Sequence, residues 1–278
     1  GGAGARSAFL TKSLVKSARE IRVDHIVLLD NNEEHLRTYG QISKELARRM
    51  EPSLTFDITS DARGALTGAD YIITTIRAGG DAGRLFDEKT CLAHGVLGQE
   101  TTGAGGFAMA IRSVPTLVYY CTLAREVSNP GHLIFNFTNP SGIITQALRS
   151  CGFANVYGIC DAPSGFIKQL EEILNVPYGA LDIECYGLNH LSWFRNAKLD
   201  GRDVQEELLN NPRTYQHSEM RLFTREMARL SGECMLNEYL YFYYRREKSL
   251  SMVQKAEHPR GEMIYLINRE LETQLAQM

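Results

Sequence analysis

Gly1-Gly2-Ala3-Gly4-Ala5-Arg6 opens the chain, and Ile26-Val27-Leu28-Leu29-Asp30 follows after a stretch whose apolar residues Phe9, Leu10, Leu14, Val15 and Ala18 have the spacing of one buried helix face. Glycine turn, helix, short buried strand and terminal acid is the order of a dinucleotide-binding unit. The turn exposes backbone N–H groups at a helix N-terminus, where the partial positive charge suits a pyrophosphate and a Cβ would block close approach. Gly2 and Gly4 are the candidate phosphate cradle. Arg6 is either a phosphate contact or a solvated charge. Asp30 stands where a ribose-binding carboxylate belongs and favours NAD over NADP, since it would repel a 2′-phosphate. Such a turn needs a β-strand before it, so the chain is expected to be truncated at that side.

Further strands are expected at Leu54 to Ile58, Tyr71 to Ile76, Leu133 to Phe137 and Val156 to Cys160, separated by helical stretches such as 33–50 and 114–127. Repeated βα units give an α/β, Rossmann-like, mostly parallel sheet with helices on both faces. After Asp161 the pattern changes to a helix from about Ser164 to Leu174, strands at Ile183 to Tyr186 and Leu191 to Ala197, then mainly helical sequence from Glu206. The boundary is therefore placed at residue 161: a first domain over 1–161 and a second α/β (α+β) domain over 162–278.

The chain has 278 residues with 30 basic and 33 acidic side chains, a net charge of −3. There is no basic block with interleaved aromatics, so nucleic acid is not an expected partner. Apolar runs such as Tyr71 to Ile76 fall far short of the roughly 20 residues of a membrane span, and no signal peptide precedes the first glycine, which places the protein in the cytoplasm. The cysteines Cys91, Cys121, Cys151, Cys160, Cys185 and Cys234 show no framework spacing, and reduced thiols are expected.

Several residues carry both a chemical and a plain structural reading. Cys160 and His190 fall just past the ends of two expected strands. Thiolate and neutral imidazole are ligands that a borderline divalent metal selects, but a buried thiol and a hydrogen-bonded core histidine have the same signature. Asp161 is either a functional acid or an N-cap for the next helix. Gly98-Gln99-Glu100-Thr101-Thr102-Gly103-Ala104-Gly105-Gly106 is too flexible in type for a core element and reads as a loop. Asn139, before Pro140, is a turn residue or a ligand contact. Tyr239-Leu240-Tyr241-Phe242-Tyr243-Tyr244 has the pattern of a helix packing its rings. Arg84 and Arg260 are surface charges or bidentate phosphate ligands.

The glycine-rich start, Leu29-Asp30, Gly98-Gln99-Glu100-Thr101-Thr102-Gly103, Asn136-Phe137-Thr138-Asn139-Pro140-Ser141-Gly142, Cys160-Asp161-Ala162-Pro163, Gly187-Leu188-Asn189-His190-Leu191, Asn237-Glu238-Tyr239-Leu240 and Arg260 together resemble glycoside hydrolase family 4, the NAD- and metal-dependent 6-phosphoglycosidases. The resemblance spans nearly the whole chain and implies NAD and a divalent metal, Mn²⁺, as cofactors. It implies hydrolysis of a glucoside, 6-phosphorylated and β-linked, by oxidation at C3, abstraction of the C2 proton, and elimination then addition.

Residue by residue, the resemblance implies Cys160 and His190 as metal ligands and Tyr239 as base, with Tyr241 and Tyr243 as fallbacks. Asp161, where some relatives carry Asn, becomes an acid for the leaving oxygen. Glu100 (with Gln99), Asn139 and Asn189 become sugar contacts, and Arg84 and Arg260 candidate phosphate ligands. A homodimer or homotetramer and a missing C-terminal portion are implied as well. An α-linked or unphosphorylated substrate stays open, as do an NAD-dependent dehydrogenase of the malate or lactate type and an inactive remnant.

Overall fold

The computed structural model describes residues 1–277 as two compact units, each assembled from separate stretches of chain. The first combines Gly1–Phe86, Ala108–Gly158 and Arg260–Met278, and the second Asp87–Phe107 and Ile159–Pro259. The long stretch after Gly158 begins close to the change of pattern at Asp161. A single boundary does not describe the excursions of 87–107 and 260–278.

In the first unit β1 (His25–Leu29) pairs in parallel with β2 (Thr55–Thr59), with Leu28 opposite Ile58. A second parallel set runs β3 (Tyr71–Thr74), β4 (Leu133–Asn136), β5 (Val156–Gly158). Gly1 and Gly2 sit at the C-terminal ends of both sets: the Gly2 amide donates to the Leu29 carbonyl at 2.8 Å, and Thr75 Oγ1 donates to the Gly1 carbonyl at 2.6 Å. The helix Ser7–Ser17 leaves this turn, and its buried face is only partly the expected one, with Val15 and Ala18 inside and Leu10 and Leu14 half-buried but Phe9 turned out. Ser7, Thr11 and Val15 are inside with Ala18, whereas Phe9 is 73% exposed. The Ser7 hydroxyl, bonded to the Gly2 carbonyl and to the Gly4 amide, ties that face to the turn, so a polar side chain takes the position that apolar counting gave to Phe9.

Two apolar clusters fill this unit. One joins Leu117, Cys121 and Ala124 to Ile134, Ile144, Leu148 and Val156. The other joins Ala3, Val15, Leu28, Tyr39, Leu54 and Phe56, with Leu271 and Leu275 packed on it. Those two leucines explain why the helix Arg260–Ala276 belongs here.

The helix expected from Val114 starts earlier, at Gly103, and runs to Val127. The reason is close packing rather than flexibility. A Cβ on Gly98 would come within 2.5 Å of the Glu88 carbonyl, one on Gly105 within 2.7 Å of the Gln99 carbonyl, and one on Gly106 within 2.9 Å of the Thr101 backbone. These glycines let the 98–102 loop lie against helices on either side of it. Gly103–Val127 is also the one helix among the described residues long and apolar enough to cross a membrane, but Leu117, Cys121 and Ala124 place it in the core of this unit.

The second unit is built on an antiparallel hairpin, β6 (Leu181–Leu188) and β7 (Leu191–Leu199), with the short β8 (Arg202–Asp203) and β9 (Met235–Leu236) also pairing with β7. The helix Ala162–Leu174 packs Phe166 edge-on to Phe194 with ring centroids 4.8 Å apart. Leu208, Met220, Met235 and Leu240 complete that core.

At Gly2 a Cβ would stand 2.6 Å from the Leu29 carbonyl oxygen, whereas at Gly4 it would meet nothing within 4 Å. Gly2→Ala is expected to cost roughly 1–3 kcal/mol of stability by overpacking, and Gly4→Ala close to nothing. Chemical denaturation of the two variants checks the difference.

Candidate active site

Asp30, 7% exposed, lies directly under the glycine turn. Its Oδ2 accepts the Ala3 amide at 3.0 Å and its Oδ1 the Asn32 amide at 2.9 Å. Burial pushes this carboxyl up, and the Ala3 and Asn32 amides, hydrogen-bonded to it, act in the opposite sense. An ionised carboxylate at a strand end, beside a Gly4 that leaves open space, fits a dinucleotide: ribose hydroxyls on the acid and phosphate where a Cβ would otherwise project. Arg6 caps the following helix by position and is exposed.

At the end of β4, Asn136 is fully buried and acts as a hub. Its Oδ1 accepts from Thr74 Oγ1 at 2.9 Å and from the Thr138 amide at 3.3 Å, and its Nδ2 donates to Thr145 Oγ1 at 3.1 Å and to the Thr138 and Ser141 carbonyls. That network fixes the segment that carries half-buried Asn139, joined to Pro140 by a cis peptide bond. Arg84, 8% exposed, and Arg260, exposed at the start of its helix, also belong to the first unit.

The second unit brings the other candidates together. Leu188 faces Leu191 in the hairpin register, which leaves Asn189-His190 as a two-residue turn. His190 adopts φ +58°, a left-handed conformation costing a non-glycine residue about 1–2 kcal/mol. The turn delivers its ring inward: His190 is 8% exposed, and its Nε2 stands 3.7 Å from the Cys160 Sγ. The strand expected to reach Cys160 stops at Gly158, so the thiol sits in the loop before the helix Ala162–Leu174.

Burial pushes the His190 pKa down against the raising influence of Asp161, Glu238 and Glu100, which leaves a neutral ring. The Cys160 thiol is pushed up by burial first and by the Asp161 charge, while the Ala162 amide and the Asn189 side chain, both hydrogen-bonded to it, act in the opposite sense. Asp161 occupies the N-cap position but makes no side-chain cap bond, and its carboxyl is exposed.

Tyr239 opens the helix Tyr239–Tyr244, and its ring lies on His190 with centroids 4.2 Å apart. Phe242 packs edge-on to Tyr239 at 5.6 Å, and the other tyrosines of the cluster turn elsewhere. Tyr241 packs on Phe223 at 5.8 Å, and Tyr243 and Tyr244 are 45% and 58% exposed.

Two ligands on one divalent cation, with bond lengths of about 2.0–2.3 Å, stand roughly 3.5 Å apart. The 3.7 Å separation of Cys160 and His190 therefore fits a single shared ion. No group of three or more His, Cys, Asp or Glu suited to a metal occurs among the described residues, so the remaining positions would fall to water or substrate, as in an open catalytic site. His190 Nδ1 is buried without a hydrogen-bond partner, a cost the fold itself does not require.

With this geometry in hand, two family models match the chain: family 4 glycosyl hydrolase over residues 1–176 and the family 4 glycosyl hydrolase C-terminal domain over 185–278. The chain belongs to the family 4 glycosyl hydrolases. It is 31% identical to the 6-phospho-beta-glucosidase BglT of Thermotoga maritima over 98% of its own length and 64% of that relative. The Thermotoga maritima 6-phospho-beta-glucosidase structure solved with manganese, NAD⁺ and glucose-6-phosphate superimposes with a TM-score of 0.86 at 30% identity, over 99% of this chain and 65% of that one. A 6-phospho-alpha-glucosidase from gut microorganisms, in complex with NAD and glucose-6-phosphate, gives a TM-score of 0.88 at 26% identity over 97% and 64%. This family 4 chain thus spans just under two thirds of the length of these relatives.

One residue of the region leaves no trace in the sequence. Glu219, 9% exposed, accepts the Asn237 Nδ2 at 2.8 Å and the Glu238 amide at 3.1 Å on one oxygen, Oε2. His217-Ser218-Glu219 reads as an ordinary polar stretch, because only tertiary packing buries it. Burial, more than the Glu238 charge, pushes its carboxyl from 4.5 up to about 7. The folded state thus holds the proton more tightly than the unfolded chain. The associated stability is full below about pH 4.5 and is lost as pH rises through about 7, a change on the order of 3 kcal/mol. Glu219→Gln should flatten the decline in unfolding free energy between about pH 5 and pH 8, as measured by urea denaturation of both proteins across that range.

Proposed function

We propose that the protein hydrolyses 6-phosphorylated β-glucosides by elimination and addition, with NAD⁺ and Mn²⁺ as its cofactors. The observation that carries this reading is the strained His190 turn, which sets a neutral imidazole 3.7 Å from the Cys160 thiol and under the Tyr239 ring. The relatives solved with NAD, manganese and glucose-6-phosphate support the choice of cofactors and of sugar.

When bound, the dinucleotide supplies reversible hydride chemistry at the sugar C3 and the cation supplies positive charge that acidifies the adjacent C2–H. Cys160 and His190 would hold the cation, and Asp30, Gly2 and Gly4, with Arg6 beside them, the dinucleotide. Tyr239 takes the C2 proton. A phenol with an ordinary pKa of about 10 is a poor base near neutral pH, so it needs a cation close by, and the Tyr239 ring lies against a ligand of that cation. Asp161, exposed and not engaged in capping, gives a proton to the departing glycosidic oxygen. Water then adds at C1, a proton exchanged with solvent on the phenol is delivered to C2, and the C3 carbonyl is reduced back to the alcohol, so that no net oxidation remains. Glu100, Asn139 and Asn189 contact the sugar, and Arg84 and Arg260 its phosphate.

The C2–H bond breaks in every turnover by this route, whereas direct displacement at C1 never touches it. Product formed in D₂O from a 4-nitrophenyl β-glucoside 6-phosphate should therefore carry deuterium at C2, and Tyr239→Phe should lower kcat by about 10²–10⁴. Unlabelled product from active enzyme rules the route out, and an undiminished Tyr239→Phe moves the base elsewhere. A parallel assay with the α-anomer decides between the two phosphoglucosidase types.

Cys160→Ser and His190→Ala should each abolish activity and bound manganese, measured by elemental analysis, while circular dichroism stays unchanged. Full activity in either variant after chelation excludes this pair as the metal site.

A further inference from the structure

We infer that Glu219 is a positioning residue for Tyr239, a buried clamp that sets the start of the Tyr239 helix so that its ring is held on His190. The inference rests on the reading of Tyr239 as the base, but the clamp itself is a matter of geometry and is tested separately below.

The segment between β9 and the helix has little to fix it except hydrogen bonds. Asn237 continues the β9 pairing, its amide donating to the Ser192 carbonyl at 3.1 Å. Its side chain then works in both directions. Oδ1 accepts the Tyr239 amide at 3.1 Å, and Nδ2 donates to Glu219 at 2.8 Å. The Glu238 amide donates to the same Glu219 oxygen at 3.1 Å. One carboxylate oxygen therefore gathers both donors that fix the direction of chain at Tyr239, and the next residue, Leu240, is fully buried in the core.

Glu219 is itself rigidly placed. Its amide donates to Gln169 Oε1 at 2.9 Å, and it begins a single turn, Glu219–Leu222, capped by Ser218, whose hydroxyl accepts the Met220 amide at 3.1 Å. Met220 is fully buried, and its sulfur accepts the Leu236 amide from β9. The cation nearest in sequence is spent elsewhere: Arg221 Nη2 donates to Glu238 at 2.6 Å. A carboxyl group kept inside at that electrostatic cost, with its Oε2 accepting from both Asn237 and Glu238, is placed for position.

Removing the acceptor should let the Tyr239 ring drift. Misplacing a catalytic group by about 1 Å costs on the order of 10²-fold in rate. In full-length protein assayed with 4-nitrophenyl β-glucoside 6-phosphate, NAD⁺ and Mn²⁺, Glu219→Leu should lower kcat by about 10- to 100-fold with KM changed less than about threefold. Glu219→Gln keeps an acceptor oxygen and should restore kcat to within about threefold. In a Tyr239→Phe background Glu219→Leu should cost no further activity, because both changes act through one phenol.

A readout independent of turnover is the imidazole carbon-bound proton resonance of His190, assigned by its loss in His190→Ala and shifted by the Tyr239 ring current. It should move in Glu219→Leu toward its position in Tyr239→Leu, and stay in place in Glu219→Gln. Wild-type kcat and an unmoved resonance in Glu219→Leu overturn the clamp, as does Glu219→Gln behaving like Glu219→Leu. Should Glu219→Leu fail to fold, Asn237→Ser, which removes the same hydrogen bond from the other side, carries the same two outcomes. A fully active Tyr239→Phe sinks the base assignment, and the His190 resonance still decides whether Glu219 positions the ring.

Discussion

The two-residue turn Asn189-His190 is the constraint on which the second unit's chemistry depends. A hairpin can be closed by two residues only if the backbone bends sharply, and the favoured solutions put glycine or asparagine where φ is positive. Here a histidine takes φ +58°. The strain is small beside the stability of a packed hairpin, but it converts a surface turn into an inward-pointing imidazole, because the left-handed conformation changes the direction of the side chain relative to the strands. Gly187, at φ +114°, makes the approach of β7 to β6 possible two residues before the turn. The site is thus a consequence of hairpin geometry.

Electrostatics then selects what the turn can do. Burial keeps His190 neutral although Asp161, Glu238 and Glu100 all favour its charged form, and burial keeps the Cys160 thiol protonated in the absence of a cation. A neutral imidazole offers its lone pair to a borderline cation without first losing a proton, and a buried thiol would give up its proton on binding one, which is the chemistry the proposed metal pair requires. Asp161, Glu238 and Glu100 add negative potential around the pair. The same logic of buried charge recurs at Glu219, where desolvation is offset only in part by two donors, and at Asp30, where two backbone amides oppose it.

Glycine does two different jobs in this chain. At Gly2, Gly98, Gly105 and Gly106 the missing Cβ lets backbone pack against backbone, whereas at Gly4 it leaves room open beside the turn. Composition treats all of them alike. That is why the 98–106 segment reads as a flexible loop in the sequence, yet is partly helix and closely packed in the fold.

By itself the sequence determined the parallel βα architecture, because strand periodicity and the glycine turn are local properties that survive without knowledge of the fold, and its motif residues singled out Cys160 and His190 as candidates through a family resemblance. It placed Asp30, Cys160 and His190 at or near strand ends to within a residue or two. What only the tertiary structure decided is which neighbours those residues keep. Among the tyrosines of 239–244 helical periodicity offers no choice, and the ring that meets His190 is selected by where β9 releases the chain. Phe9 looked like core and is exposed, because the Ser7 hydroxyl anchors the other face. Glu219 carries no mark in the sequence and is buried, because its partners at residues 169 and 237–238 come from distant parts of the chain, and no local pattern encodes a contact at that separation.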